Sequence, residues 1–321
     1  MNKKTILNNQ FINLKFGGIN METLYGKLVL PGSNQIVGTG WLPPRPDLRD
    51  YTQHQKELKE FNKKLGISSG KMKVPTTVDL RQWCSPVENQ GSLGSCTANA
   101  CVGIVEYYEK KAFNKHLEAS RLFLYKTTRN LMQVTGDAGG WLRCTMGALV
   151  LCGVPLEKYW LYNVDDFDNE PDAFIYSVAK NYEALKYFCH DPQGAKVPYP
   201  AVLDSVKKYL EAGIPSMFGF WGFLSFDKSD TKGGIPYPDE GESAEWGHAI
   251  VAVGYDDAKK IKNTNNNKET TGALLIRNSW GKEWGDKGYG WMPYEYILNN
   301  LALDFWSLLG MDWVDSKQFG I

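Results

Sequence analysis

The chain has 321 residues, 43% apolar and 22% charged, with 36 basic and 36 acidic side chains and a formal net charge of zero. That length allows one large domain or two lobes sharing a cleft, and a neutral chain without a Lys/Arg block beside stacking aromatics argues against nucleic acid. No apolar run is long enough to span a bilayer, and six cysteines with four histidines show no metal-ligand spacing, so no membrane partner, metal or other cofactor is expected.

Behind Lys3-Lys4, the polar residues Asn8, Asn9, Gln10 and Asn13 interrupt any signal-like apolar stretch, which leans the reading towards a cytoplasmic or virion location. Residues 1–40 are polar and dotted with glycine, enough for a strand or two. Three prolines in residues 43–46 then hold the chain extended, able to lie in a groove without collapsing into it. Residues 51–65 are charged and suit a short helix, residues 68–71 read as a linker, and Val74-Pro75 opens the compact part.

Residues 97–111 predict a helix, with Ala98, Cys101, Val102, Val105 and Tyr108 on one stripe and Glu106–Lys110 as an i,i+4 pair. Ser120 is positioned to cap a second helix to about residue 128. Gly139-Gly140 leads into a third over 142–152, stopped by Gly153 and Pro155. Asp165, Asp166, Asp168 and Glu170 read as a solvated acidic loop, since their spacing is not that of a calcium loop. Pro171 suits the first turn of a helix running towards Phe188, and Val202, Leu203, Val206, Tyr209 and Leu210 mark another, stopped by Gly213 and Pro215. The pattern then turns strand-like at 217–220, 248–255 and 272–280, with the Asn-rich tract 263–267 as a solvent loop and an apolar tail over 303–313. Eleven tryptophans and seventeen tyrosines fit a large aromatic core or a groove for a polymer.

One stretch carries chemistry. Gln90 stands six residues before Cys96, with Gly91 and Gly94 between them, and a helix begins at or just after the cysteine. A helix N-terminus favours negative charge and should lower the thiol pKa towards the nucleophilic thiolate. Gln90 can supply an N–H to the oxyanion formed in acyl transfer. His248 opens one predicted strand, 152 residues after Cys96, and Asn278 ends another. Neighbouring antiparallel strands would bring them together: the imidazole pairs with the thiolate and later protonates the leaving amine, and the Asn278 oxygen fixes its tautomer. Trp280 could cover that hydrogen bond. Cys101 reads as core, Cys144 and Cys152 as core or one half of a bridge, and Cys84 and Cys189 stay unassigned. His54, His116 and His190 have no motif around them.

Residues 90–96, the run 247–256 and Asn278-Ser279-Trp280-Gly281 with Trp284-Gly285 and Gly288-Tyr289-Gly290 together resemble the papain-like cysteine proteases over about residues 75–300. Residues 40–50 resemble the family's microbial and large-virus branch. The resemblance implies an α+β, two-lobe fold with the active site in the cleft: a helix-rich lobe at about 90–195 and a β-rich, barrel-like lobe at about 196–321. It implies peptide hydrolysis through a Cys96 thioester, with Gln90 and the Cys96 N–H as oxyanion hole. Gly139 and Gly140 would bind substrate backbone, and Trp284 would stand on the leaving-group side.

Two departures remove no catalytic atom: Leu93 stands where the family has a cysteine, so one family disulfide cannot form, and Thr97 stands where an aromatic is usual. Residues 1–73 are expected to be a pro-segment whose proline-rich part crosses the cleft, ahead of a peptidase domain over 74–321. The expected partners are a polypeptide substrate and this segment, in a monomer. Peptide ligation, exopeptidase action or a silent binding module on the same scaffold are the alternatives.

Overall fold

The computed structural model describes residues 26–31, 33–45, 59, 62–63, 67, 75–182 and 184–311. Pro46 and the charges of 47–50, most of 51–65, the linker 68–71 and the 73/74 boundary lie outside these residues; residues 59, 62 and 63 are helical.

The first described elements are a hairpin of β1 (Lys27–Val29) and β2 (Ile36–Gly38). There follow β3 (Thr77–Asp79), α1 (Cys96–Phe113), α2 (Arg121–Met132), α3 (Leu142–Cys152), α4 (Ala173–Ala179), β4 (Ala184–Cys189) and α5 (Tyr199–Glu211). Then come β5 (Ser216–Gly222), β6 (Trp246–Lys262), β7 (Glu269–Arg277), β8 (Tyr289–Pro293), α6 (Tyr294–Leu298) and β9 (Ala302–Met311). Seven strands make one antiparallel sheet in the order β4-β9-β5-β6-β7-β8, with β3 also paired to β6. Helices gathered beside an antiparallel sheet give the expected α+β class. The barrel-like closure does not form by strand pairing among the described residues, because β4 and β8 end the ladder.

Helix α1 packs against α2 and α3 on one side and β5 and β6 on the other. Every residue from Cys96 to Tyr107 is therefore buried, not the single stripe that the periodicity predicts. Its buried Glu106 accepts from Ser85 Oγ at 2.5 Å and the Ala119 N–H at 3.1 Å, so its polar atoms are satisfied. Ser120 caps α2 through the Phe123 N–H as expected, and α3 stops at Gly153, whose φ of 69° a side chain would resist.

Three expectations change. The helix after Pro171 ends at Ala179, with Asp172 as its cap, and 184–189 become a strand on β9. Ladder bonds and the burial of Phe188 and Cys189 outweigh local helical preference there. The sheet thus begins inside the stretch assigned to the helix-rich lobe. The acidic loop is not simply solvated: Asp168 pairs with the buried Arg129 at 2.6 Å, and Glu170 lies 3.6 Å from Lys126. In the Asn-rich turn Asn263 is buried, donating to Tyr237 O and Asp239 Oδ1.

Candidate active site

The 89–95 turn delivers Cys96 to the start of α1. Gly91 takes a φ of 59°, and its N–H bonds Asn89 Oδ1 at 2.9 Å. Gln90 is tied by its backbone N–H to Ser279 O at 2.8 Å. Asp137 Oδ1 accepts the Gly94 N–H at 2.9 Å and the Tyr125 hydroxyl at 2.5 Å, and Tyr125 Oη in turn accepts the Gly139 N–H at 3.2 Å. One Tyr–Asp pair therefore holds two glycine turns along the cleft. Cys96 Sγ lies against the N–H groups of Thr97, of Ala249 in β6 and of Gly40 in the N-terminal segment.

The neighbour of Ala249 on β6 is His248. Its Nε2 donates to Asn278 Oδ1 at 2.8 Å, and Asn278 directly follows β7. The Ser279 N–H donates to the same Oδ1 at 2.8 Å and aims it. A proton on Nε2 leaves Nδ1 as an acceptor, and Nδ1 is buried with no hydrogen-bond partner among the described residues. Trp280 stacks on the imidazole, centroids 4.4 Å apart and planes at 23°, and Trp284 meets Trp280 edge-on at 5.8 Å. The Gln90 side-chain Oε1 accepts from Ser279 Oγ at 2.5 Å, which turns its Nε2 towards Leu93 O (2.8 Å) and Gly38 O (3.0 Å). Gln90, Cys96, His248, Asn278 and Trp280 thus share one site. Gly139 and Gly140 line its other wall, and Trp284 lies beyond Trp280 on a cavity of about 310 Å³ under the β1–β2 turn.

A strap of the chain, residues 38–42, runs through this cleft. Gly38 O receives Gln90 Nε2 and, at 3.4 Å, Trp280 Nε1. The Gly38 N–H donates to Gly91 O at 2.8 Å, and the Gly40 N–H to Gly247 O at 3.1 Å. Gly140 brackets Trp41: its N–H donates to Gly40 O at 2.8 Å, and its carbonyl accepts from the Leu42 N–H at 3.1 Å. Cβ atoms on Gly38 and Gly40 would stand 2.0 and 2.2 Å from the carbonyl oxygens of Leu93 and Gly94, so only glycine passes this close. Trp41 itself is fully buried.

Burial sets the charge state of the closed site. It pushes the Cys96 thiol up to about 12 and the His248 imidazole down to about 4; the Asn278 hydrogen bond opposes the second shift only in part. The lowered cysteine pKa expected from the helix N-terminus is therefore not the state of the covered site. Desolvation exceeds the benefit of the backbone donors, and the pair is a neutral thiol and a neutral imidazole.

Sequence reasoning missed Ser279, which orients Gln90, although it stands within a quoted motif. It missed Trp41 as the anchor of the strap, although a Gly-Trp pair before a proline run marks it. It left Asp304, the acceptor of the Trp41 indole N–H at 3.1 Å, without a role.

Residues 74–300 match the family described as papain family cysteine protease. An uncharacterised peptidase C1-like protein of Acanthamoeba polyphaga mimivirus is 34% identical over 284 residues, 83% of this chain and 85% of that protein. Cathepsin K of Gallus gallus is 27% identical, covering 71% of this chain and 61% of its own length, so the chain spans about three fifths of that relative. Among solved structures, xylellain, a cysteine protease from Xylella fastidiosa, is 30% identical with a TM-score of 0.66, over 84% of this chain and 95% of that one. A viral and a bacterial relative fit the microbial and large-virus branch. The chain belongs to the papain family of cysteine proteases, and is a cysteine-type peptidase of papain-like fold.

Proposed function

We propose that the protein is a cysteine endopeptidase held latent by its own N-terminal segment, with residues 1–73 as pro-segment and 74–321 as peptidase domain. In the open enzyme Cys96 Sγ attacks the substrate carbonyl carbon. The thiol proton moves to His248 Nδ1, and the oxyanion is held by Gln90 Nε2 and the Cys96 backbone N–H. His248 then protonates the departing amine, leaving a thioester. Water, deprotonated by His248, adds to the thioester and releases the acid and the thiol. Asn278 keeps the ring in the tautomer that presents Nδ1, Trp280 shields that bond, Gly139 and Gly140 bind substrate backbone, and Trp284 borders the leaving-group side.

The observation that carries this reading is the strap itself. A peptide lies in the cleft with one carbonyl on Gln90, and its chain continues at both ends, which suits an endopeptidase better than an exopeptidase. The strap also suits a blocker. Sγ faces the Gly40 N–H, whereas the carbonyl on Gln90 belongs to Gly38, so nucleophile and oxyanion donor are engaged by different peptide groups.

An epoxysuccinyl thiol-protease inhibitor tests both halves by mass spectrometry. One adduct on Cys96, appearing when the strap is displaced, together with internal cleavage of a peptide blocked at both ends, is expected. Cys96→Ala should lose both with an unchanged melting temperature. Undiminished hydrolysis by Cys96→Ala sinks the assignment, and equal labelling with and without the strap removes its inhibitory role.

A further inference from the structure

The two N–H groups assigned to the oxyanion are held by different parts of the fold. Cys96 opens α1, so its N–H belongs with the helices. Gln90 is tied by its backbone to the segment that follows β7. Its N–H donates to Ser279 O at 2.8 Å, the Gly281 N–H donates to Glu88 O at 2.9 Å, and Asn89 bridges Trp280. Between the two donors lies a turn with Gly91 at a φ of 59° and a second glycine at 94. Glycine is conformationally permissive, so this turn does not by itself keep the donors at one spacing.

Tyr162, in the loop between α3 and α4, spans the turn. Its hydroxyl lies 2.8 Å from Gln90 O and 2.6 Å from Ser95 Oγ. A carbonyl oxygen can only accept, so the phenol proton goes to Gln90 O and Ser95 Oγ donates to Tyr162 Oη. Ser95 Oγ in turn accepts from Asn99 Nδ2 at 3.0 Å, and the same nitrogen reaches Ser95 O at 3.0 Å. A one-way chain thus runs from Asn99, in the first turn of α1, through Ser95 and Tyr162 to the Gln90 carbonyl. Gln90, Ser95 and Asn99 are all buried, where such a chain is stronger than in water. Burial also pushes the Tyr162 phenol up to about 12, so it keeps the proton that it donates.

The ring is held as well as the hydroxyl. The Arg121 guanidinium stacks on it, 4.1 Å from the centroid. Arg121 is itself forked onto both oxygens of Glu157, at 3.1 and 2.9 Å, and lies 3.1 Å from Glu88. A planar cation stacked on one face and paired with carboxylates leaves the ring little freedom.

We propose that Tyr162 is a positioning residue for peptide cleavage: its hydroxyl fixes the spacing between Gln90 and the Ser95–Cys96 peptide, and so between the two donors that receive the oxyanion. This rests on the reading that Cys96 cuts peptides. Donors already in place stabilise the charge that develops in the transition state without having to reorganise. Loosening them costs rate, and leaves substrate binding and the nucleophile as they were.

The test uses the full-length chain carrying Trp41→Ala to open the cleft, with and without Tyr162→Phe. Three probes are compared: a peptide coumarin-amide, a peptide aldehyde whose hemithioacetal oxygen occupies the oxyanion site, and chloroacetamide, which alkylates Sγ by displacing chloride and forms no oxyanion. Tyr162→Phe should lower kcat on the order of tenfold with KM within about twofold, and weaken the aldehyde by a similar factor. Alkylation of Cys96 should stay within about twofold, which also shows that the variant folds. An unchanged kcat, an unmoved aldehyde, or alkylation that falls in step with kcat overturns the proposal and leaves the peptidase reading intact. No hydrolysis and no alkylation in the Trp41→Ala parent overturns that reading instead.

Should Tyr162→Phe fail to fold, Ser95→Ala cuts the same chain from its other side, and the same split between kcat and alkylation is expected. Where both variants fold, the double variant should lose little more than either alone, and full additivity rejects the shared chain.

Discussion

The strap meets the two halves of the cleft in opposite ways. Over Cys96, His248 and Gln90 it offers only backbone, and residues 38 and 40 are glycines whose Cβ atoms would strike the opposite wall. One residue on, at Trp41, it offers the largest side chain available and buries it completely. Close approach excludes water around Cys96 and His248 but provides little apolar area; the tryptophan provides area, and its indole N–H bonds Asp304. Blocking and holding are thus separate properties of adjacent residues, and each can be removed without the other.

Removing the hold should have the largest effect. Trp41→Ala deletes a buried indole and its hydrogen bond to Asp304, a change of about 3–5 kcal/mol for a core tryptophan. The rate of Cys96 labelling in the full-length chain should rise on the order of a hundredfold or more. Labelling no faster than in the unaltered chain would place the hold elsewhere. Next comes the proton. With the strap seated, burial lowers the His248 pKa to about 4, against an ordinary imidazole value of about 6.5. The covered form therefore binds fewer protons, and coverage is complete above pH 6.5 and lost as pH falls towards 4. The linkage is at most about 3 kcal/mol. Inhibitor labelling of Cys96 should accelerate between pH 7 and 4.5, the reverse of a solvent thiol; a flat or falling profile argues against this coupling. A smaller effect is expected from Gly40→Ala. Its methyl meets the Gly94 carbonyl, which backbone shifts relieve at about 1–3 kcal/mol, for roughly a tenfold gain in labelling with Trp41 still able to bind.

The same contrast separates what the sequence made legible from what it hid. Gln90, Cys96, His248 and Asn278 stood out because each sits in a local pattern that only a few residue types satisfy, and α1 to α3 because capping and glycine stops are local too. Strand β4 was read as helix because its evidence lies in β9, more than a hundred residues away. Asp304 was invisible for a similar reason: its backbone is set by Asp191, 113 residues earlier. The raised thiol pKa was not legible because it comes from burial of the whole site, which outweighs the N–H groups of Ala249, Gly40 and Thr97 that act to lower it.

The smallest effect tests whether catalytic contacts depend on orientation more than on area. Ser279 Oγ donates to Gln90 Oε1 at 2.5 Å, which leaves Gln90 Nε2 facing the site. Ser279→Ala removes that one bond. The amide remains anchored by the Gln90 backbone and by Nε2 on Leu93 O, so the loss should be that of a typical buried hydrogen bond, about 1 kcal/mol. Because an oxyanion donor acts mainly on the transition state, the loss should fall on kcat, roughly fivefold, with KM nearly unchanged. Trp41→Ala in the same background should still open the cleft, and the two effects should add because Ser279 bonds Gln90 whereas Trp41 bonds Asp304. A rise in KM with kcat unchanged would mean that Ser279 supports substrate binding, and that Gln90 holds its orientation without help.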